Sequence, residues 1–257
     1  MQPHERIILP LDVSDIKKVE NLVDTLSMHV GVFKIGFESI YSTMVDLLLA
    51  PDDRAISLLY RVRFLARRIS PQKAFFDVKL ADIPNTVENA VKALSRLGVK
   101  IINIHASAGE KVIKAAVVNK GDSQLFGVTV LTSMEGDECL SIFGADLEQK
   151  VVQFANMLVD NGADGVICAP KEGLRLRKIP RFDRLIIACP NIRPEWAARV
   201  KDDQNVERQM TPAEAIKAGI DMLVIGRPIT KPPFEIGGPV EAAKKIAEEI
   251  AQAQKEV

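Results

Sequence analysis

"FFDVKLADIPNT", residues 75–86, begins as an apolar strand and ends as something else. Asp77, Lys79 and Asp82 fall within six residues, and Pro84 then stops the run. A strand alternates its side chains between two faces, so Asp77 and Lys79 share one face. Buried ion clusters are a poor source of stability. Alternating charges at the end of a strand are well suited to handling a proton.

Outward from this stretch, seven more short apolar runs occur, each ending in polar or turn-forming residues. They are "RIILPLD" (6–12), "GVFKIG" (31–36), "KIINIHA" (100–106), "LFGVTVLT" (125–132), "DGVICAP" (164–170), "RLIIACP" (184–190) and "DMLVIGR" (221–227). With "AFFDVKL" (74–80) they make eight strands of the near-continuous apolar kind that a covered parallel sheet requires. Helical patterns lie between them. Ser14 and Asp15 can cap a helix with an Ile16, Val19, Val23, Leu26 stripe. Asn85 with Glu88 three residues on reads as a capping-box start, and Gly98 as a stop. "ADLEQKVVQFANMLVDNGA", "TPAEAIKAGI" and "GPVEAAKKIAEEIAQAQ" repeat the pattern. Strands alternating with helices over 257 residues predict one (β/α)8 barrel domain, residues 1–257. Strand count leaves a doubly wound open sheet as the alternative. Residues 51–72 exceed what one crossover needs and read as a helical extension.

Charge and cysteine content narrow the function classes. Lys plus Arg and Asp plus Glu are 34 each, so no net field favours nucleic acid or an anionic membrane, and any anion site must be local. Cys139, Cys168 and Cys189 are odd in number and form no CxxC pair. They suggest neither disulfides nor a zinc site and suit a reducing cytoplasm. "MQPHERIILPLD" carries no signal-peptide pattern, and no apolar run suggests a membrane span.

In a (β/α)8 barrel the chemistry sits at the C-terminal strand ends. Those ends offer Asp12, Lys34, Asp77, Lys79, Asp82, His105, Thr132, Pro190, Arg193 and Arg227. A lysine held beside carboxylates suits an acid or an electrostatic group rather than a free-amine nucleophile. The bland reading is a structural ion network at the barrel rim. Asp12 and Lys34, ending neighbouring strands, argue for more than a rim needs. A second constellation is Gly226-Arg227 in "VIGRPIT" with Arg193 in "CPNIRP". The loops after strands seven and eight are where this fold binds phosphate, and arginine adds a bidentate fork. The bland reading there is two surface arginines. His105, Cys168, Cys189 and Trp196 read as packing residues.

These motifs together resemble orotidine 5′-phosphate decarboxylase. "DVKLADIPNT" is similar to the family's DxKxxDIPxT signature. In order around it stand "LPLDVSD", "FKIGFE", "INIHASAG", "GVTVLTSME", "NIRPE", "DDQ" with "MTPAEAIKAGID", and "VIGRPIT". The resemblance runs from about residue 7 to residue 246. It implies a homodimer of (β/α)8 barrels that converts orotidine 5′-monophosphate into UMP and CO2 without a cofactor. It implies Lys79 as proton donor, with Lys34, Asp77 and Asp82 completing the charged network. Asp82 would enter the partner's site, followed by Ile83 and Thr86. Asp12 and Lys34 would hold the ribose hydroxyls, and Thr132 and Ser133 would face the pyrimidine. Arg193, Gln204, Gly226 and Arg227 would bind phosphate, with Pro190 beside them. Two departures stand out. Cys189-Pro190-Asn191 replaces the family's Thr-Pro-Gly, and asparagine tolerates the left-handed turn. The segment from Trp196 to Asp203 is longer than usual. The rivals are a magnesium-dependent sugar-phosphate decarboxylase or synthase, whose metal Lys34 would repel, a Schiff-base aldolase, and a non-catalytic phosphate-ligand sensor.

Overall fold

The computed structural model describes residues 1–197 and 208–256. Each apolar run of the sequence forms a strand: β1 (Ile7–Pro10), β2 (Val32–Ile35), β3 (Ala74–Leu80), β4 (Ile101–His105), β5 (Gln124–Val128), β6 (Gly165–Ile167), β7 (Ile186–Cys189) and β8 (Met222–Val224). Every neighbouring pair is parallel, and β8 pairs back onto β1. Closure of the ring removes the open-sheet alternative.

The period of two sorts the strand residues into two apolar groups. Ile8, Val32, Phe75, Ile101, Phe126, Ala188 and Met222 form one small cluster, with Ile167 of β6 packed against it. All eight strands contribute, so this cluster fills the barrel interior. Their strand neighbours Ile7, Leu9, Phe33, Ile102, Leu125, Val166, Ile187 and Leu223 belong to the larger core under the helices.

The helices are α1 (Ile16–Leu26), α2 (Phe37–Leu49), α3 (Asp52–Arg68), α4 (Pro84–Ser95), α5 (Glu110–Asn119), α6 (Gly136–Phe143), α7 (Leu147–Asp160), α8 (Pro170–Arg177), α9 (Pro212–Lys217), α10 (Arg227–Thr230) and α11 (Pro239–Gln254). Their ends follow local chemistry. Asp15 caps α1 by accepting from the Lys17 N–H at 2.9 Å. Thr211 and Glu214 form a reciprocal capping box on α9. Asn85 does not cap α4. The helix starts at Pro84 with Ile83 before it, because proline has no N–H to satisfy and is already set at a helical φ. Residues 51–72 supply α3, a second helix in the β2–β3 crossover.

The Pro3–Arg6 turn leads directly into β1. Gly31, entering β2, passes under it, and a Cβ there would lie 2.1 Å from the Glu5 carbonyl oxygen. Gly31→Ala should therefore destabilise the fold by about 1–3 kcal/mol, the range for overpacking. The check is a lower urea midpoint at unchanged slope. An unchanged midpoint would mean that the turn yields freely.

Candidate active site

One step above the apolar filling, the inward positions turn polar. Two residues on from Val32, Phe75 and Ile101 stand Lys34, Asp77 and Asn103, and all three side chains meet. Lys34 Nζ donates to Asp77 Oδ2 at 2.7 Å and to Asp12 Oδ1 at 3.1 Å. Lys79 Nζ donates to Asp77 Oδ1 at 2.7 Å, and Asn103 Nδ2 reaches the same oxygen at 2.7 Å. Asp77 and Asn103 are buried, Lys34 and Lys79 partly so, and Asp12 opens to solvent. The backbone turn after β2 crosses directly over this group. A Cβ at Gly36 would lie 3.1 Å from Asp12 Oδ1 and 3.2 Å from Lys34 Nζ.

Burial alone would raise the Asp77 carboxyl, but the Lys34 and Lys79 ammonium groups outweigh it and hold it at about 2. Burial likewise works to lower Lys34, and the Asp77 and Asp12 carboxylates reverse that and raise it. His105, at the end of β4, is pushed down by burial and by Lys79. Both effects favour the neutral imidazole over the charged form. The Lys79 ammonium also lies 5.5 Å from the centre of the Phe37 ring, at the start of α2.

Asp82 stands apart from this group. It is exposed, and its carboxylate accepts from the Ile83 N–H at 2.6 Å. Ile83 is 65% exposed, and Thr86 is exposed on the first turn of α4. None of the described residues buries the segment.

The residues of the second constellation follow β7 and β8, and Thr132 and Ser133 follow β5. Asn191 follows Pro190 with φ +66°, the left-handed conformation that asparagine was expected to tolerate there. Arg193 is buried, and its backbone N–H donates to the Met210 carbonyl at 2.9 Å. Gly226 precedes α10, and a Cβ there would meet the Pro10 ring at 2.9 Å. Arg227 is the first, exposed residue of α10. β5 ends at Val128, earlier than its apolar run, so Thr132 and the exposed Ser133 lie in a turn beyond the strand. Gln204 lies outside the described residues.

Sequence reasoning missed Arg208. It is buried and donates Nη1 to the Thr132 and Met134 carbonyls at 2.9 Å each, and Nη2 to Glu172 Oε1. Glu172 in turn accepts from the Ala169 N–H at 2.9 Å, just before α8. Asn103 was missed as well. The signal was present in "INIH", where its spacing from Ile101 faces it inward.

Comparison with known proteins is consistent over nearly the whole chain. The profile of the "Orotidine 5'-phosphate decarboxylase / HUMPS family" matches residues 5–246. The orotidine 5′-phosphate decarboxylase of Trichlorobacter lovleyi is 38% identical, covering 95% of each chain. That of Gloeothece citriformis is 35% identical, covering 97% of this chain and 99% of the relative. Among solved structures, orotidine 5′-phosphate decarboxylase from Lactobacillus acidophilus superposes with a TM-score of 0.69 at 28% identity, over 95% of this chain and 98% of its own.

The depressed Asp77 carboxyl has a stability consequence. A carboxyl lowered on folding contributes stability that is present above its unfolded value and lost as pH falls through its folded value. For Asp77, with an ordinary value of 3.8 and a folded value of about 2, the loss falls in that acid window. Its size is roughly 2 kcal/mol. Asp77→Asn should remove this part of the acid limb in urea titrations between pH 4 and 2. An identical acid limb in the variant would mean that Asp77 is not held by the two lysines in solution.

Proposed function

The chain belongs to the orotidine 5′-phosphate decarboxylase / HUMPS family, and from that premise we propose that Lys34, Asp77 and Lys79, with Asp82 of a second copy, carry its chemistry. The reaction is the decarboxylation of orotidine 5′-monophosphate to UMP and CO2. Loss of CO2 from C6 leaves an electron pair in the plane of the ring, where the ring carbonyls cannot delocalise it. Fixed charges have to stabilise it instead. The observation that carries the reading is that both lysines bind a single buried carboxylate held ionised far below neutral pH. Asp77 stands against the substrate carboxylate and keeps the Lys79 ammonium aimed at C6. Lys79 stabilises the developing carbanion and protonates it. No cofactor takes part. Asp12 and Lys34 take the ribose hydroxyls, and Thr132 and Ser133 the pyrimidine. Ile83 and Thr86 accompany Asp82. Pro190, Arg193, Gln204, Gly226 and Arg227 form the phosphate end, where binding energy from a remote group can serve catalysis.

The rival reading is a metal-assisted sugar-phosphate reaction at the same strand ends. The position of Lys34 Nζ, 3.1 Å from Asp12 and 2.7 Å from Asp77, argues against that chemistry. The ammonium already stands between the two carboxylates that a divalent cation would need. A sensor without catalysis is disfavoured by an intact charged network.

Two features support a homodimer. The Asp82 segment is exposed and carries Ile83 outward. Next to the site, α2 exposes Phe37, Tyr41, Met44, Val45 and Leu48. Exposed apolar side chains in such number mark an interaction surface. We place the enzyme in the cytoplasm, where its three unpaired, buried thiols suit a reducing milieu.

Lys79→Ala should abolish the loss of orotidine monophosphate absorbance, measured with EDTA present, while circular dichroism stays unchanged. One general acid is worth about 10²–10⁴-fold, and the lost electrostatic stabilisation adds to it. A tenth of the original activity would remove Lys79 from the mechanism, and EDTA sensitivity would revive the metal-dependent reading.

Sharing of Asp82 is tested separately. Lys79→Ala and Asp82→Ala subunits, each inactive alone, should regain activity when mixed, because one hybrid site holds both groups intact. No recovery, with subunit exchange verified, would assign Asp82 to its own barrel.

A further inference from the structure

We propose that Asn103 is a positioning residue for the decarboxylation, holding Lys79 in a strained backbone conformation that aims its ammonium group. The proposal rests on the catalytic reading of Asp77 and Lys79 given above. Lys79 has φ +43°, a left-handed conformation that L-residues other than glycine, asparagine and aspartate seldom adopt. The strain coincides with a break in the β3–β4 ladder. From Phe76 to Leu80 β3 advances four residues, while its partner β4 advances two, from Ile102 to Ile104. Asn103 is the residue opposite the gap.

The Asn103 side chain fills that gap with the hydrogen bonds the ladder lacks. Its Oδ1 accepts from the Lys79 backbone N–H at 2.7 Å, and its Nδ2 donates to Asp77 Oδ1 at 2.7 Å. A carboxylate can only accept and an N–H can only donate, so these two partners fix the orientation of the amide. Asn103 is 0% exposed. It has no route to the substrate and acts through the other two residues. Removing the amide would strip one hydrogen bond from a buried carboxylate and leave the Lys79 N–H without its acceptor. Strained backbone persists only where its surroundings over-determine it. The Lys79 backbone would then relax towards ordinary strand geometry and carry its ammonium away from the reacting carbon.

Two substitutions separate positioning from simple packing. Asn103→Leu keeps the branched shape, at a larger volume, and removes both hydrogen bonds. It should lower kcat by about a hundredfold, the cost of a displacement on the order of 1 Å, with KM little changed. Asn103→Asp keeps the acceptor for Lys79 but sets a second carboxyl against Asp77. When protonated, the introduced carboxyl can donate to Asp77 and accept from Lys79, as the amide does. Burial and the Asp77 carboxylate hold its proton to higher pH, while the Lys34 and Lys79 ammonium groups, already paired with Asp77, act in the opposite direction. Activity of Asn103→Asp should therefore be near normal at the acid end of the working range. It should fall as pH rises through the titration of the introduced group, where the unaltered enzyme shows no such fall. A packing role alone predicts a pH-independent loss. Asn103→Asp with the unaltered pH profile would overturn the proposal, and so would a folded Asn103→Leu with unaltered kcat. If Asn103→Leu does not fold, the reversible pH response of Asn103→Asp decides alone. Lys79→Ala assayed in parallel keeps the two readings apart. Activity in that variant refutes the role of Lys79, whereas an inactive Lys79→Ala beside a normal Asn103→Asp refutes only the role of Asn103.

Discussion

The Asp77 carboxylate is buried and ionised, so donors from three strands have to converge on it. Lys34 comes from β2, Lys79 from β3 itself and Asn103 from β4. An unpaired charge at that depth would cost several kcal/mol. The attraction within the group repays this only if all three strands keep their register. A slip of one residue would turn the inward set outward. Site geometry and sheet register are thus a single constraint, and the site cannot loosen without disturbing the barrel around it.

The barrel interior divides along its axis for the same reason. Lower down, the inward positions are wholly apolar and contribute only packing. Two residues further along the same strands, they become the charged group. This fold commonly separates a stabilising face from a reactive one. Here the two layers touch, with Phe75 and Asp77 one inward step apart on β3. The apolar layer excludes water from below, which strengthens the ion pairs above it.

Much of this was legible because it is periodic. Apolar runs marked all eight strands, and the charges at their ends marked Lys34, Asp77 and Lys79. Asp15 and Thr211 announced their helices through cap chemistry that depends on neighbours alone. The misses share a different cause. Asn85 looked like a cap, but the proline beside it set the helix start. Thr132 looked like a strand end because its run stays apolar after the ladder has stopped at Val128. Asn103 and Arg208 act on residues 24 and 76 positions away. Such pairings follow from closure of the barrel, which no local pattern encodes. The left-handed Lys79 was hidden likewise, since its cause lies on the next strand.

Arg208 gives the turn after β5 a second kind of support. That turn has left the sheet, so the ladder no longer stiffens it. Instead, the Thr132 and Met134 carbonyls converge on one guanidinium, which is pinned by Glu172 at the start of α8. The stiffness of the turn is imported from elsewhere in the chain. Changes at Arg208 or Glu172 can therefore retune the turn without altering any group proposed to touch the ligand. Variation between related enzymes can accumulate at such remote struts while the charged group stays fixed, and substrate affinity can drift independently of the chemical step.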